Sequence, residues 1–287
     1  MILPLRNRIW RLKRLKNLEL SHEALPDNQG LAWKWKDFPL LQLRRQHDQL
    51  YDLVFLNPTL LQRCQASLTS ELSAWMQQEQ AEIRLLEPPA SPLWRAAMLN
   101  TGLTYYQKYF YSRALSPDSF PSSAPFHLES LAELGEAAFL ADLELISEGD
   151  PENASWGVRG WNAQKEFEQL KAHADTAFDP QRWFRVSRLD SSAAEPVLQP
   201  IGLILPQVYP DKPNEGTLFY LGVFPALRQQ KYGQALHHLG LQLLAQAGVT
   251  RYVGSTDVRN GAMQRIFAKN DCEQTRLLTF FQTLGGR

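Results

Sequence analysis

The stretch from Gly222 to Leu236, GVFPALRQQKYGQAL, constrains this chain more than any other segment. The apolar residues before Pro225 are typical of a strand, and the leucine spacing after Gly233 is typical of a helix. Between them lies a short basic loop with Arg228 and Lys231. The first amides of a helix have no partner within the helix and carry the positive end of its dipole. A strand, a basic loop and a glycine at the helix start therefore predict a phosphate site.

The same segment resembles the acyl-CoA signature of the GNAT acyltransferases. In that family a Val-x-Pro strand end leads into Arg/Gln-x-x-Gly-x-Gly/Ala and then into a helix. Val223 and Pro225 match the strand end, and the resemblance extends from about Phe126 to the C-terminus. It implies acetyl-CoA as co-substrate.

Two registers of the loop motif remain open. In the first, Arg228 opens the motif, Gly233 is its second glycine, and Lys231 stands where the first glycine is usual. In the second, the motif runs from Gln230 through Gly233 to Ala235. We prefer the first, because the neighbouring residues then also match the family: Tyr232, Ala235 and Leu236.

The resemblance implies that main-chain groups hold most of the cofactor. Strand residues would bond to the thioester and pantetheine, and loop amides to the pyrophosphate. The polar residue at the start of the next helix would contact the cofactor arm, although it is equally explained as a helix cap. The expected cofactor-binding residues are Leu221, Gly222, Val223, Arg228, Gln229, Gln230, Lys231, Tyr232, Gly233, Gln234, Asn260 and Phe267.

The position from which many family members protonate the departing thiolate is occupied here by Phe267. Phenylalanine can pack but cannot donate a proton. Tyr220 and Tyr232 are the nearby candidate donors. Alternatively, water protonates the thiolate or it leaves as such, because the pKa of a free thiol is about 8.5.

The amine acceptor must lose a proton before it attacks, so a base is needed directly or through water. Thr217 and Phe219 occupy the strand positions where the family often has a glutamate, which leaves Glu215 as the candidate base. The segment from Glu129 to Glu152 is rich in acids and contains no Lys or Arg. It could attract a cationic amine, or it could be a solvated helix face.

Composition excludes several classes of protein. The chain has 287 residues with 30 basic and 30 acidic side chains, so no overall field points to nucleic acid. Cys64 and Cys272 lie far apart, which argues against a disulfide framework or a metal site. No apolar run could span a bilayer, and we expect a cytoplasmic protein. The basic first sixteen residues are expected to form a solvated strand or helix.

Two domains are predicted, because the Pro- and Ser-rich stretch from Ser116 to Pro125 reads as a linker. The first domain covers 1–120 and the second 126–287. Ser91–Arg113 aligns without a gap on Asn260–Gln282, with Gly102 over Asp271. This repeat predicts two GNAT-like α/β domains, each a mostly antiparallel sheet with one splayed parallel pair. An unrelated accessory α/β domain is the alternative for the first.

Three further elements of the first domain follow from the pattern. Asp37–Leu43 is expected to be a strand, Thr59–Met76 a helix and Ala81–Leu86 a strand. The connection from Arg44 to Pro58 has no glycine and is expected to be a loop that has lost the cofactor site. In the second domain, Leu128–Ile146 is expected to be one helix.

These observations favour an N-acyltransferase that moves acetyl from acetyl-CoA to a primary amine of a small molecule or peptide by direct attack. The main alternative is an inactive module that binds CoA or a protein partner, because Lys231 and Phe267 depart from the family pattern. Transfer of an aminoacyl group from charged tRNA is a second alternative, and the neutral charge argues against it.

Overall fold

The computed structural model describes residues 20–25, 30–35, 37–47, 49–86, 91–120, 126–149, 162–190 and 197–283. The chain forms two compact units. One comprises Met1–Tyr106 with Leu278–Arg287, and the other comprises Gln107–Leu277. The basic first sixteen residues lie outside the described part.

The first unit is a sheet covered by one long helix. Its strands follow the order β1-β2-β3-β4-β5-β12, and all neighbours are antiparallel except the parallel pair β4 and β5. Helix α1 buries a stripe at every third or fourth residue, including Leu61, Leu68 and Leu72, against Trp33 and Leu41 of the sheet. The elements are β1 (Leu20–Ala24), β2 (Gly30–Trp35), β3 (Phe38–His47), β4 (Leu50–Leu56), α1 (Pro58–Gln78), β5 (Glu82–Leu86), α2 (Ser91–Leu99) and the start of β6 (Thr104–Ala114).

The expectation of a loop from Arg44 to Pro58 is wrong. Strand β3 continues to His47, and β4 then pairs with both β3 and β5. The polar Asp52 interrupts the apolar pattern that is typical of a strand. In the structure this residue is buried and accepts two hydrogen bonds from Arg84 of β5, at 2.6 and 3.0 Å. An ion pair between neighbouring strands thus places a charged residue inside the sheet.

The second unit repeats this arrangement with more helices. Its strands follow the order β6-β11-β10-β9-β8-β7, with β10 and β11 as the parallel pair. The elements are β7 (Phe126–Ser130), α3 (Leu131–Leu134), α4 (Glu136–Ser147), α5 (Ala163–Ala174), β8 (Phe184–Asp190), β9 (Val197–Tyr209), β10 (Lys212–Val223), α6 (Tyr232–Gln246), β11 (Arg251–Asp257), α7 (Gly261–Lys269) and β12 (Glu273–Gln282).

The single helix expected over Leu128–Ile146 is divided into three elements. Its first residues form β7, which pairs with β8. Ser130 then starts α3 through a reciprocal capping box with Glu133. Gly135 adopts a φ of 82° between α3 and α4, a conformation that glycine reaches without strain.

Both units share the order of strand, helix, parallel strand, helix and strand, so the fold is the expected pair of mixed α/β repeats. The repeat alignment also holds at its turn. Gly102 follows α2 with a φ of 77°, and its counterpart Asp271 follows α7 with a φ of 52°. Both residues provide the left-handed step between helix and strand.

The compact units differ from the predicted domains by two strand segments. The part of β6 from Lys108 to Ala114 pairs with β11 and belongs to the second unit, whereas the last residues of β12 pair with β5 and belong to the first. Each unit therefore completes its sheet with a segment from the other half of the sequence. The stretch from Ser116 to Pro125 does not mark the division.

Candidate functional site

The second unit has a gap between its two parallel strands. Strands β10 and β11 pair only at Glu215 with Arg251 and at Gly216 with Tyr252. Beyond these residues, β10 stays paired with β9 up to Val223, and β11 stays paired with β6 up to Asp257. The main chain of residues 217–223 therefore faces that of residues 253–257 across an opening that no ladder closes.

A bulge in β10 sets the direction of the side chains beside this gap. The register with β9 shifts between Leu218 and Leu221. As a result, Phe219 and Tyr220 both pack against the apolar cluster beneath α4 and α5, instead of alternating between the faces. Gly222 lies under α4, where a Cβ would collide with Ile146.

The loop after β10 leaves the start of α6 open. A 3-10 turn at Pro225–Leu227 is followed by Gln229 and Lys231, both exposed and with φ values of 64° and 67°. Within the described residues no side chain caps α6, and its first turn holds no acid. The helical ladder starts with Ala235 N–H donating to Lys231 at 3.3 Å. The preceding amides therefore lack partners within the helix.

Gly233 is explained by helix packing. A Cβ at this position would lie 2.9 Å from Ile266 Cδ1 of α7 and 3.9 Å from Val223 Cγ2. Its φ is not positive, so the main chain itself would accept another residue. The absence of a side chain at Gly233 lets α7 approach the first turn of α6. It also leaves no side-chain atoms of this residue beside the open amides.

Arg228 is engaged by main-chain carbonyls. Its guanidinium donates to the oxygens of Val223 at 3.2 Å, Ile146 at 2.6 Å and Glu148 at 2.8 Å. Two of these acceptors are among the last carbonyls of α4, where a cation satisfies unpaired oxygens and the negative end of the dipole. Arg228 thus joins the loop to the end of α4, whereas the sequence had suggested a phosphate ligand.

Residues from α7 complete the surroundings of the gap. Asn260 caps this helix by accepting from Met263 N–H at 3.0 Å. Phe267 is buried and stacks on Tyr111 of β6, with ring centroids 4.2 Å apart. Its ring also reaches Gly254, because a Cβ there would lie 3.0 Å from Phe267 Cε1.

The three candidate catalytic residues are not brought together. Glu215 lies at the closed end of the strand pair, where Arg251 pairs with it at 3.3 Å. It is about 23 Å along β10 from Gly222, seven residues at about 3.3 Å each. Tyr220 belongs to the apolar cluster under α4, and Tyr232 has the guanidinium of Arg188 over its ring at 5.4 Å.

The acidic segment has its own partners. Arg185 of β8 donates to Asp142 at 2.6 Å and to Glu129 at 3.4 Å. Glu133 is held by the capping box, and its two hydrogen bonds from Ser130 lower the pKa of its carboxyl. These three acids stabilise α3, α4 and β8, so each of them has a partner within the described residues.

His237 belongs to the site although no motif in the sequence marks it. Its side chain is fully buried between α6, β11 and the turn after α7. Burial, with a smaller effect of Arg113, lowers its pKa from 6.5 to about 3. Its place beside Leu241 and Leu244, at helical spacing, was the available signal.

The gap and the open helix start fit a nucleotide thioester such as acetyl-CoA. Main-chain groups of β10 can hold an extended amide-containing arm, and the α6 amides can hold a pyrophosphate, with the Lys231 ammonium nearby. The described residues contain no cluster of His, Cys, Asp and Glu that could hold a metal ion, and none of their helices is long and apolar enough to cross a membrane.

Comparison with known proteins gives matches at the level of structure. No family model matches the sequence, and no curated protein matches it. A GCN5-related N-acetyltransferase from Sphaerobacter thermophilus is similar over 90% of this chain and 82% of its own, with a TM-score of 0.55 and 14% identity. A conserved protein of unknown function from Staphylococcus epidermidis is similar over 81% of this chain and 82% of its own, with a TM-score of 0.51 and 10% identity.

A fungal multi-domain protein contains a third similar structure, a GCN5-related glucosamine N-acetyltransferase region within a GH3 β-N-acetylglucosaminidase. The likeness covers 88% of this chain and 32% of that one, with a TM-score of 0.52 and 11% identity. These three solved structures share the fold of this chain, which is defined by its strand order and its splayed parallel pair.

Proposed function

Because the chain has the fold of the GNAT acetyltransferases, we propose that it is a CoA-dependent N-acyltransferase. It moves an acetyl group from acetyl-CoA to a primary amine on a small molecule or peptide, in the cytoplasm. The observation that carries this proposal is the opening between β10 and β11 beside an uncapped helix start. Acetyl-CoA supplies the activated thioester.

The residues around the opening have separate tasks. The main chain of Leu221, Gly222 and Val223 holds the arm of the cofactor, and the amides of Tyr232, Gly233 and Gln234 hold the pyrophosphate. Lys231 adds an ammonium, worth about 1.5 to 3 kcal/mol if it forms a hydrogen bond to phosphate. Gln229 and Gln230 present further polar groups from the exposed loop.

The amine attacks the thioester directly. Burial raises the pKa of the Cys272 thiol to about 12, so this residue stays protonated and is a poor nucleophile. Cys64 lies in the core of the first unit, where burial also raises its pKa. Neither cysteine therefore supplies a nucleophile for a covalent enzyme intermediate.

The test is calorimetric titration of the protein with acetyl-CoA, alongside the variants Gly233→Glu and Gly233→Ala. The glutamate places a carboxylate against the pyrophosphate, so we expect it to abolish binding. The alanine is the steric control, because its Cβ meets only the end of the flexible Ile266 side chain, and binding should persist. Equal affinity of all three proteins would place the cofactor elsewhere.

A CoA-binding module without turnover is the second candidate. The burial of Phe267 favours it, because the position from which the family supplies a proton is occupied by a packed ring. Turnover of acetyl-CoA with any member of a panel of primary amines would exclude this candidate. CoA binding without turnover across the panel would support it.

A further inference from the structure

Three buried polar side chains form a chain beside the gap. Asn270, after α7, donates from Nδ2 to the carbonyl of Gln234 at 3.1 Å and to His237 Nδ1 at 2.9 Å. His237 Nε2 lies 3.2 Å from the hydroxyl of Tyr252 on β11. All three side chains are almost fully buried, and apolar residues surround them.

The position of each hydrogen along this chain is determined by Asn270. The carbonyl of Gln234 can only accept, so the amide group of Asn270 that faces it is the NH₂, whose second hydrogen goes to His237. Nδ1 of His237 is therefore the unprotonated nitrogen. Because the imidazole is neutral, its single hydrogen sits on Nε2 and is donated to the oxygen of Tyr252.

Tyr252 therefore keeps its own hydrogen for another acceptor. Among the described residues its hydroxyl makes no hydrogen bond other than that with His237. A buried donor without an acceptor is costly and calls for an explanation.

The position of this hydroxyl indicates the missing acceptor. It occupies the space that a side chain at residue 254 would need, since a Cβ on Gly254 would collide with it. Gly254 is the second residue of β11 after the last pairing with β10, so it borders the gap. The ring of Phe267 reaches the same glycine. The Tyr252 hydroxyl therefore lies beside the Phe267 ring, which carries no hydroxyl of its own.

We propose that the O–H of Tyr252 is the hydrogen-bond donor to the sulfur of CoA in the gap. It performs the role of the hydroxyl group that Phe267 lacks. This inference rests on the proposed function. The amine nitrogen forms a bond to the carbonyl carbon and releases a proton to water. The C–S bond then breaks with its electron pair on sulfur, and the Tyr252 hydrogen bond stabilises the negative charge that develops. The thiolate takes its proton from water on release.

The surrounding groups suit this task. Burial, together with neighbouring Cys272 and Tyr209, raises the pKa of Tyr252 well above 10, so the phenol retains its hydrogen throughout the working range of pH. His237 and Asn270 are positioning residues, because they orient the hydroxyl and occupy its lone pair without reaching the gap.

The experiment compares the equilibrium binding of CoA and desulfo-CoA, which has hydrogen in place of the thiol. It is done by calorimetry at pH 7 and at about one unit above the ordinary thiol pKa of about 8.5. For the wild-type protein we expect CoA to be preferred by about tenfold at the higher pH, because thiolate accepts the hydrogen bond more strongly. For Tyr252→Phe we expect the preference to fall to about one.

A matched control is Tyr111→Phe, which removes one oxygen from the same aromatic cluster and should leave the preference unchanged. If Tyr252→Phe does not fold, Gly254→Ala displaces the hydroxyl by a single methyl group and should also reduce the preference. Equal binding of both ligands by the wild-type protein overturns this inference but leaves the proposed function standing. Failure of the wild-type protein to bind CoA at all overturns both.

Discussion

Lys231 occupies a left-handed conformation at the start of α6, with a φ of 67°. A lysine there is strained by about 1 kcal/mol, and glycine would relieve most of that strain. Lys231→Gly should therefore raise the free energy of unfolding by roughly 0.5 to 1 kcal/mol and weaken acetyl-CoA binding, because the ammonium is lost. Thermal unfolding and calorimetry measure the two effects.

The matched variant Lys231→Gln removes the charge and keeps the strain. It should weaken binding to a similar extent without the gain in stability. Unchanged affinity in both variants would mean that the ammonium does not reach the phosphates.

The buried imidazole of His237 makes stability depend on pH in a defined window. The unfolded chain takes up a proton near pH 6.5, but the folded protein resists it down to about pH 3. Because the unfolded state binds more protons between these values, the free energy of unfolding falls as the pH is lowered through them. One proton corresponds to about 1.4 kcal/mol per pH unit.

Denaturant unfolding of the wild-type protein and of His237→Gln from pH 7 to pH 4 measures this contribution. The wild-type slope should exceed that of the variant by about one proton. Parallel slopes would show that the imidazole ionises in the folded protein.

Sequence reasoning reached some parts of this site and missed others for physical reasons. The strand, loop and helix around Gly233 follow from a local pattern, whereas the packing of Ile266 against this glycine depends on α7, a later element. The role of Arg228 does not follow from that pattern either, because its acceptors on Ile146 and Glu148 lie about 80 residues earlier in the chain. The proton order of the Tyr252 chain likewise depends on contacts between α6, β11 and α7.

Helix α4 and the loop after β10 are linked by Arg228, and this link can be broken by one substitution. Lysine carries the same charge but cannot donate to three carbonyls in a planar fork. Arg228→Lys should therefore lower the free energy of unfolding by about 2 kcal/mol and weaken acetyl-CoA binding at the same time. Chemical denaturation and calorimetry on the same preparation provide the two values.

A loss of affinity without any loss of stability would instead assign Arg228 to the phosphates. Lys231→Gln is the useful comparison, because it removes a loop cation that has no part in holding α4.

Elements with a repeating pattern were predicted well, and elements that depend on a neighbour were not. Helix α6 ends at Gln246, and Gly248 follows two residues later with a φ of 86°, as is common after a helix end. The last three residues of β7, from Leu128 to Ser130, were taken for the start of a helix, because they continue the apolar spacing of α3 and α4. Only the pairing with β8 distinguishes them.

The two repeats differ at the point where a cofactor would bind. In the first unit, Asn57 caps α1 by accepting from Leu60 N–H at 3.0 Å, and Pro58 has no amide hydrogen to offer. In the second unit, no side chain in the described part of the chain caps α6. We therefore expect calorimetry to give one CoA site per chain, and two sites would show that the capped start of α1 also opens.

The exchange of strand segments between the two units has a consequence during synthesis. The first unit draws Phe281, which is fully buried in its core, from a segment that leaves the ribosome only after the whole second unit has been made. The N-terminal half must therefore wait, with the edge of β5 exposed, until translation has passed through the C-terminal half. Expression of residues 1–120 alone would leave that edge of β5 without its partner strand.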